Sequence, residues 1–309
     1  MMRPMRIGVS LRSGFGDLEP RQAVRQMVER AAAARDAGLD SLFVGDHHVT
    51  GSTYLQNTPI LGRLLAEWGV RTAGALFLLP LWHPVLVAEQ VATLAAIAGG
   101  PFVLQVGLGD GEAQFAGMGA SLSRRASALE ATLEVVRRLL AAETVTAEEP
   151  VAIRDARTGP LPPEPVDIWI GAGAAKGIDR AARLGDGWIA GPRVSLDKAR
   201  EQAELYGERR AAHGRPGGVV AIRRDIHVGA DAADAHRVAA PVLAAGYRGL
   251  PPDAPVVGGP EEVAEAFVAP AGRGYTDVLV RHLADDHDEV LASFARLAAV
   301  GDLVRAGAG

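Results

Sequence analysis

Leu42-Phe43-Val44-Gly45-Asp46-His47-His48 is the stretch on which the reading of this chain turns. An apolar run long enough for a buried strand stops at a glycine, and an acid and two imidazoles follow at once. Strand ends are where α/β proteins place chemistry, because the loop is open and the strand beneath it is rigid. Histidine, whose unperturbed pKa lies nearest neutrality, can give or take a proton there. Taken alone, the same residues also describe a polar loop facing water. The other strand ends decide between the two.

Eight strand-like runs follow one another: Ile7–Leu11, Ser41–Val44, Arg71–Leu78, Phe102–Val106, Val166–Ile170, Gly187–Ala190, Val219–Val228 and Asp277–Val280. They are β-branched or Leu-rich and are bounded by Gly, Pro or polar clusters. Helical patterns lie between them. Arg21–Ala37 stops at Gly38, Thr58-Pro59 opens a helix to Trp68, His83-Pro84 opens Val85–Ala98, and Ser195 caps Leu196–Ala212. In Leu122–Leu140 the apolar residues fall at 3-and-4 spacing, one buried helical face. A last helix is expected over Asp288–Ala299. Strands alternating with helices mean parallel strands joined by crossovers. Eight is the count that closes a (β/α)8 TIM barrel, usually about 250 residues long. A doubly wound open sheet is the alternative, but Ser13-Gly14-Phe15-Gly16-Asp17 after the first strand lacks the form and spacing of a dinucleotide loop. The expectation is a single domain over 1–309. It carries an insertion, Thr144–Pro165, before strand 5 and a second, with helical signals at Ala232–Ala245 and Pro260–Val268, between strands 7 and 8.

Composition narrows the chemistry. Of 309 residues 48% are hydrophobic, enough for a large core, and the net charge of −5 with no basic run argues against a nucleic-acid surface. The absence of cysteine removes disulfides, thiolate nucleophiles and Cys metal sites. Lys176 and Lys198 are the only lysines, so a Schiff-base lysine has almost no candidates. The longest apolar run, Ala73–Leu81, is too short to span a bilayer, and the N-terminus leads into a strand without a secretory segment. A cytoplasmic protein with no membrane contact is expected.

In a barrel the site lies at the C-terminal strand ends. These are Arg12-Ser13-Gly14, Asp46-His47-His48, Leu79-Pro80-Leu81-Trp82-His83, Gly107-Leu108-Gly109-Asp110, Gly171-Ala172-Gly173-Ala174, Gly191-Pro192-Arg193 and Arg281-His282. Glycine lets a backbone approach a ligand, and a helix N-terminus offers free N–H groups. Gly171–Ala174, followed by a helix bearing Lys176, Arg180 and Arg183, therefore reads as a phosphate seat, or as a tight βα turn. The apolar third end, with Trp82 beyond the strand, suits a flat hydrophobic ring better than a sugar. Metal ligation is not expected: there is no H-x-H, and adjacent His47 and His48 point to opposite sides if extended.

With the strand ends laid out, the chain resembles the luciferase-like monooxygenase family, (β/α)8 oxidoreductases that use flavin or deazaflavin. The resemblance spans about residues 6–300. It rests on Gly38-Leu39-Asp40-Ser41-Leu42-Phe43-Val44-Gly45-Asp46-His47, Leu79-Pro80-Leu81-Trp82-His83-Pro84, Val106-Gly107-Leu108-Gly109 with Phe115-Ala116-Gly117-Met118-Gly119, Asp167-Ile168-Trp169-Ile170-Gly171-Ala172-Gly173, Arg180-Ala181-Ala182-Arg183-Leu184-Gly185-Asp186-Gly187-Trp188 and Gly258-Gly259-Pro260-Glu261-Glu262-Val263, in that order.

The resemblance implies roles. His47 is the expected proton carrier, and Asp46 its orienting partner or a contact to the cofactor ring. A bulge with a non-proline cis peptide is implied near Ala75-Leu76, supporting that ring. Gly107, Leu108, Gly109 and Asp110 would line the cofactor's middle, and Gly171, Ala172, Gly173, Ala174 and Lys176 would seat its phosphate. Trp82 and His48 are assigned to the substrate, His48 either as a pocket wall or as loop packing. Asp-His at this place leans towards coenzyme F420, with reduced FMN as the alternative. The implied reaction is hydride transfer between F420 and a small organic substrate. The rivals are an FMN monooxygenase fed by a flavin reductase, a metal-dependent barrel hydrolase and a non-catalytic flavin-binding relative. A reductase for the cofactor and a homodimer are the implied partners.

Overall fold

A computed structural model describes residues 5–251 and 253–307. In chain order the elements are β1 (Arg6–Leu11), α1 (Pro20–Asp36), β2 (Ser41–Val44), α2 (Asn57–Trp68), β3 (Thr72–Leu78), α3 (Pro84–Ala98), β4 (Phe102–Gly107), α4 (Glu112–Gly117), α5 (Arg125–Leu140), β5 (Val145–Ala147), β6 (Ile153–Ala156), β7 (Asp167–Gly171), α6 (Ala175–Leu184), β8 (Gly187–Ala190), α7 (Leu196–Ala212), β9 (Val219–Val228), α8 (Ala232–Ala244), β10 (Val256–Gly258), α9 (Pro260–Ala271), β11 (Asp277–His282) and α10 (His287–Ala306). The main sheet runs β10-β9-β11-β1-β2-β3-β4-β7-β8, and β8 also pairs with β9. With β10 set aside, eight strands close on themselves as a (β/α)8 barrel.

By contacts the chain divides into two compact units. One holds β1, Arg25–Phe43 and everything from Trp169 onward. Its ladders β1–β11, β11–β9, β9–β8 and β8–β7 are parallel. Ile7 lies beside Val278 and Val9 beside Val280 in register, all buried. The other unit holds Ser13–Val24 and Val44–Ile168. Here β3 pairs with β4 in unbroken parallel register from Ala73↔Phe102 to Leu78↔Gly107. Leu129, Leu133 and Val136 of α5 are buried, as their helical spacing predicts, and Leu139 rather than Leu140 completes the face.

All eight expected strands are present, and Ser195 caps α7 by accepting the Lys198 N–H at 3.2 Å. The insertion before the fifth barrel strand contains a small antiparallel sheet, β5–β6. Val145 and Ile153 pin it to Ala88, Val135 and Leu139. The second elaboration holds α8 and α9 as expected. It adds the short strand β10, which extends the end of β9 through Val256↔Ile226 and Gly258↔Val228.

Four expectations are corrected. The helix read as opening at Thr58-Pro59 starts one residue earlier: α2 begins at Asn57 with Gln56 as its N-cap, so Thr58 lies inside the first turn. α5 starts at Arg125 rather than Leu122, and α10 runs on to Ala306, since buried Val300 and Val304 extend its apolar face. The bulge and cis peptide near Ala75-Leu76 are not formed. The cis bonds among the described residues are Glu149-Pro150 and Gly159-Pro160, and the continuous β3–β4 ladder leaves no extra residue at Ala75.

Candidate active site

The β2 strand leaves the core through buried Gly45, and the Asp46 side chain is wholly buried. Such a carboxylate is tolerated only if N–H groups meet it. One oxygen, Oδ2, accepts the Leu78 backbone N–H at 2.8 Å and the Trp82 indole N–H at 2.8 Å. Leu78 is the last residue of β3. Pro80 then sits in a single 3-10 turn, Leu79–Leu81, which carries Trp82 back within reach. The other oxygen, Oδ1, lies 3.1 Å from His48 Nε2. This is ion-pair distance but off hydrogen-bond alignment. The Trp82 ring meets His48 edge-on at 5.4 Å and Phe77 at 5.1 Å.

Asp46 therefore engages Leu78, Trp82 and the neighbourhood of His48. His47 points the other way, exposed, its ring edge-on to Tyr54 at 5.8 Å and its carbonyl accepting the Gln56 amide at 3.2 Å. The expected orienting contact from Asp46 to His47 is not made, because adjacent residues of an extended segment face opposite sides. Val49 follows with φ 55°. That is strained backbone for a β-branched residue, worth about 1–3 kcal/mol where it occurs. Its side chain lies so close to α4 that a Cβ at Gly117 would come within 2.7 Å of it.

The loop after β4 is tied to this cluster by a residue the sequence reading missed. Gln114, buried on α4, accepts the His48 backbone N–H at 2.8 Å and donates to the Asp110 carbonyl at 2.9 Å. Asp110 is exposed, while Gly107, Leu108 and Gly109 are half-buried. Gly109 holds φ 70°, with the Phe115 ring 3.2 Å from where a Cβ would stand. On β3, Leu76 is half-buried, but Ala75 is fully buried and could offer a ligand only its backbone.

In the other unit, Gly171 and Ala172 are half-buried and Gly173, Ala174 and Lys176 exposed. The Ala172 carbonyl is held by the Trp188 indole at 2.9 Å, and the Gly173 carbonyl by Gln202 at 2.8 Å. With both carbonyls tied back, the loop leads into α6 through Ala174, an N-cap without a side-chain hydrogen bond. Small side chains, an uncapped helix start and Lys176 in the first turn form a donor set that fits a phosphate group. This unit also contains charges on β9 that no motif announced. Asp225 of β9, fully buried, pairs with Arg223 at 2.9 Å and accepts the Tyr247 hydroxyl at 3.1 Å. Arg281, its register neighbour on β11, donates to Ser10 Oγ at 2.7 Å. The only signal was Arg223-Arg224-Asp225 set inside an apolar strand.

The fold and strand ends are those of a (β/α)8 barrel with an Asp-His strand end and glycine-rich ends after β4 and β7. The chain belongs to the luciferase-like monooxygenase family, whose profile matches residues 5–303. It is similar to the F420-dependent glucose-6-phosphate dehydrogenase of Kribbella flavida, with 29% identity over 192 residues covering 59% of this chain and 58% of that protein. The enzyme of the same description from Intrasporangium calvum is 30% identical over 178 residues, 53% of each chain. The chain thus spans little more than half the length of these curated relatives. Among solved structures, an F420-dependent secondary alcohol dehydrogenase in complex with an F420-acetone adduct superposes with a TM-score of 0.78 at 18% identity, covering 96% of this chain and 99% of that one. The oxygenating constituent of 3,6-diketocamphane monooxygenase from Pseudomonas putida, in complex with FMN, gives 0.79 at 15% identity and 98% coverage of both. At such identities the likeness concerns the fold.

Proposed function

We propose that the protein is an F420- or FMN-dependent oxidoreductase and that, of the two, it uses coenzyme F420, exchanging a hydride with a small organic substrate. The observation that carries this reading is the strand end Asp46-His47: an exposed imidazole on a backbone held rigid by the buried carboxylate. The curated relatives named above, each described as F420-dependent, support the choice of cofactor. When bound, F420 supplies the hydride chemistry; the protein supplies placement, dryness and the proton. His47 gives or takes that proton at the substrate's reacting oxygen. Asp46 is a positioning residue, because its side chain is out of reach of any ligand. Leu76 and Gly107–Asp110 hold the cofactor's ring and middle, and Gly171–Ala174 with Lys176 hold its phosphate.

Titration of the purified protein with F420 and with FMN tests the cofactor. F420 is expected to bind at least tenfold more tightly, and tighter FMN binding overturns the assignment. General acid–base catalysis typically contributes about 10²–10⁴-fold. His47→Ala should therefore keep the F420 dissociation constant and lose about that factor in turnover. Unchanged turnover removes His47 from the mechanism.

A further inference from the structure

The backbone around His47 is tied on both sides, but its ring is not. The His47 carbonyl accepts the Gln56 amide at 3.2 Å, and the N–H of the next residue, His48, ends on Gln114 at 2.8 Å. Among the described residues no hydrogen bond or ion pair reaches the His47 imidazole, and its ring neighbour is Tyr54, edge-on at 5.8 Å. We propose that Tyr54 is the positioning residue of the proton carrier, and that a backbone strap joining the loops after β1 and β2 sets its place. The name proton carrier rests on the oxidoreductase reading; the orientation of the ring does not.

The strap is a short antiparallel pairing outside the barrel sheet. Gly14 and Tyr54 form its central bridge. Around it the Phe15 N–H donates to the Thr53 carbonyl at 2.8 Å, the Thr53 N–H to the Gly16 carbonyl at 2.8 Å, and the Leu55 N–H to the Ser13 carbonyl at 2.9 Å. The Thr53 hydroxyl adds a bond to the Leu18 carbonyl at 2.8 Å. Connecting loops are the mobile parts of a fold unless their backbone groups find partners. These bonds hold the β2–α2 connection on both sides of Tyr54, and all of them fall within one compact unit. Gly14 completes the seat. A Cβ there would stand 3.5 Å from Tyr54 Cδ2, so the phenol ring lies against the backbone of the first loop.

Tyr54 is half-buried and His47 exposed. The phenol is therefore a fixed wall, and the imidazole rests against it with its other side open. An exposed histidine samples three χ1 wells and about two χ2 arrangements, about six orientations in all. A proton passes only from the orientation that faces the reacting atom. Selecting one orientation raises its population about three- to sixfold. An edge-on aromatic pair at a centroid distance of about 4.5–7 Å favours its own geometry by about two- to tenfold, enough for that selection.

The χ1 populations of His47 in the full chain test the proposal. They are read by nuclear magnetic resonance from three-bond couplings to Cγ in protein carrying isotope-labelled histidine, with the His47 signal assigned through His47→Gln. Wild type should hold one well at about 80% or more. Tyr54→Ala should leave no well above about half, and Tyr54→Phe, which keeps the ring, should restore the wild-type distribution. Leu55→Pro removes the strap's bond to Ser13 without changing either ring. Folded by circular dichroism, it should loosen His47 as well. The positioning role is overturned if wild type already populates several wells, if Tyr54→Ala keeps a single one, or if Tyr54→Phe behaves as Tyr54→Ala does. An unchanged His47 in folded Leu55→Pro overturns the part given to the strap. Failure of wild type to bind F420 would instead overturn the oxidoreductase reading and leave the rotamer result standing.

Discussion

Replacing Asp46 separates two roles that the structure assigns to one side chain. The Leu78 N–H and the Trp82 indole N–H both end on Oδ2, each at 2.8 Å, and the carboxylate has no exposed surface. Asp46→Ala strands both donors in a closed space. An unmet buried donor costs about 1–3 kcal/mol, so two cost about 2–6 kcal/mol, offset in part by relief from burying a charge. Asp46→Asn is different, because the two bonds converge on one oxygen. An amide oxygen in the same place keeps both and loses only their charge assistance, about 1 kcal/mol. Urea unfolding followed by tryptophan emission, with the slope of the transition checked for constancy, measures both changes. The expected result is that alanine destabilises about 1–5 kcal/mol more than asparagine. If the two variants agree within about 0.5 kcal/mol, acceptor strength is not what Asp46 provides, and the charge beside His48 must carry the effect.

Acid sensitivity has a separate origin. Burial holds the His282 ring, bonded to Ser293 Oγ at 2.9 Å, down to a pKa of about 3 from 6.5. The unfolded chain therefore gains a proton below pH 6.5 that the fold cannot take. Stability is fully present above that pH and falls as pH drops towards 3. Between pH 7 and 5 the loss is about 2 kcal/mol, by the usual 1.36 kcal/mol per unit over the lower 1.5 units. Urea midpoints across this window should show it, and His282→Gln should flatten the slope; an unaltered slope refutes the assignment. Burial lowers His227 as well, which adds in the same direction. Gly109→Ala must adopt φ 70° with its Cβ 3.2 Å from Phe115. The left-handed conformation alone costs about 1–2 kcal/mol, so a urea midpoint equal to wild type would show that this loop rearranges freely. Lys176→Ala should weaken F420 binding several-fold at low salt and less at high salt, and a salt-independent effect would count against a phosphate contact.

Much of the barrel was legible because its strands are apolar runs cut off by glycine, proline or charge. Ser41–Val44, Gly187–Ala190 and Val219–Val228 have the bounds their sequence suggests. Elements too short for a period were not legible: α4 has six residues, and β5, β6 and β10 three or four each. The candidate site was legible as a place but not as a wiring diagram. Asp46-His47-His48 was marked by its position after a strand. Alternation puts the two rings on opposite sides and His48 on that of the acid; what it cannot supply is the donors that meet the carboxylate, which come from the end of β3, more than thirty residues away. Asn57 shows the same limit, since nothing near it in sequence announces that its amide is spent on the Leu76 carbonyl.

The amide of Gln114 is divided between two loops, its oxygen on the His48 N–H and its nitrogen on the Asp110 carbonyl. Neither loop can be exchanged independently of the other. A graft that brings a relative's β4 loop into this scaffold without its own residue at position 114 leaves the histidine segment without its brace, and the reverse graft strips the β4 loop of the same support. Recombination in this family should therefore succeed when the His48 loop travels together with the β4 loop and the short helix α4 that follows it. The natural unit of variation at this strand end is two segments, the histidine loop and the β4 loop with α4, far apart in the chain but joined through one side chain.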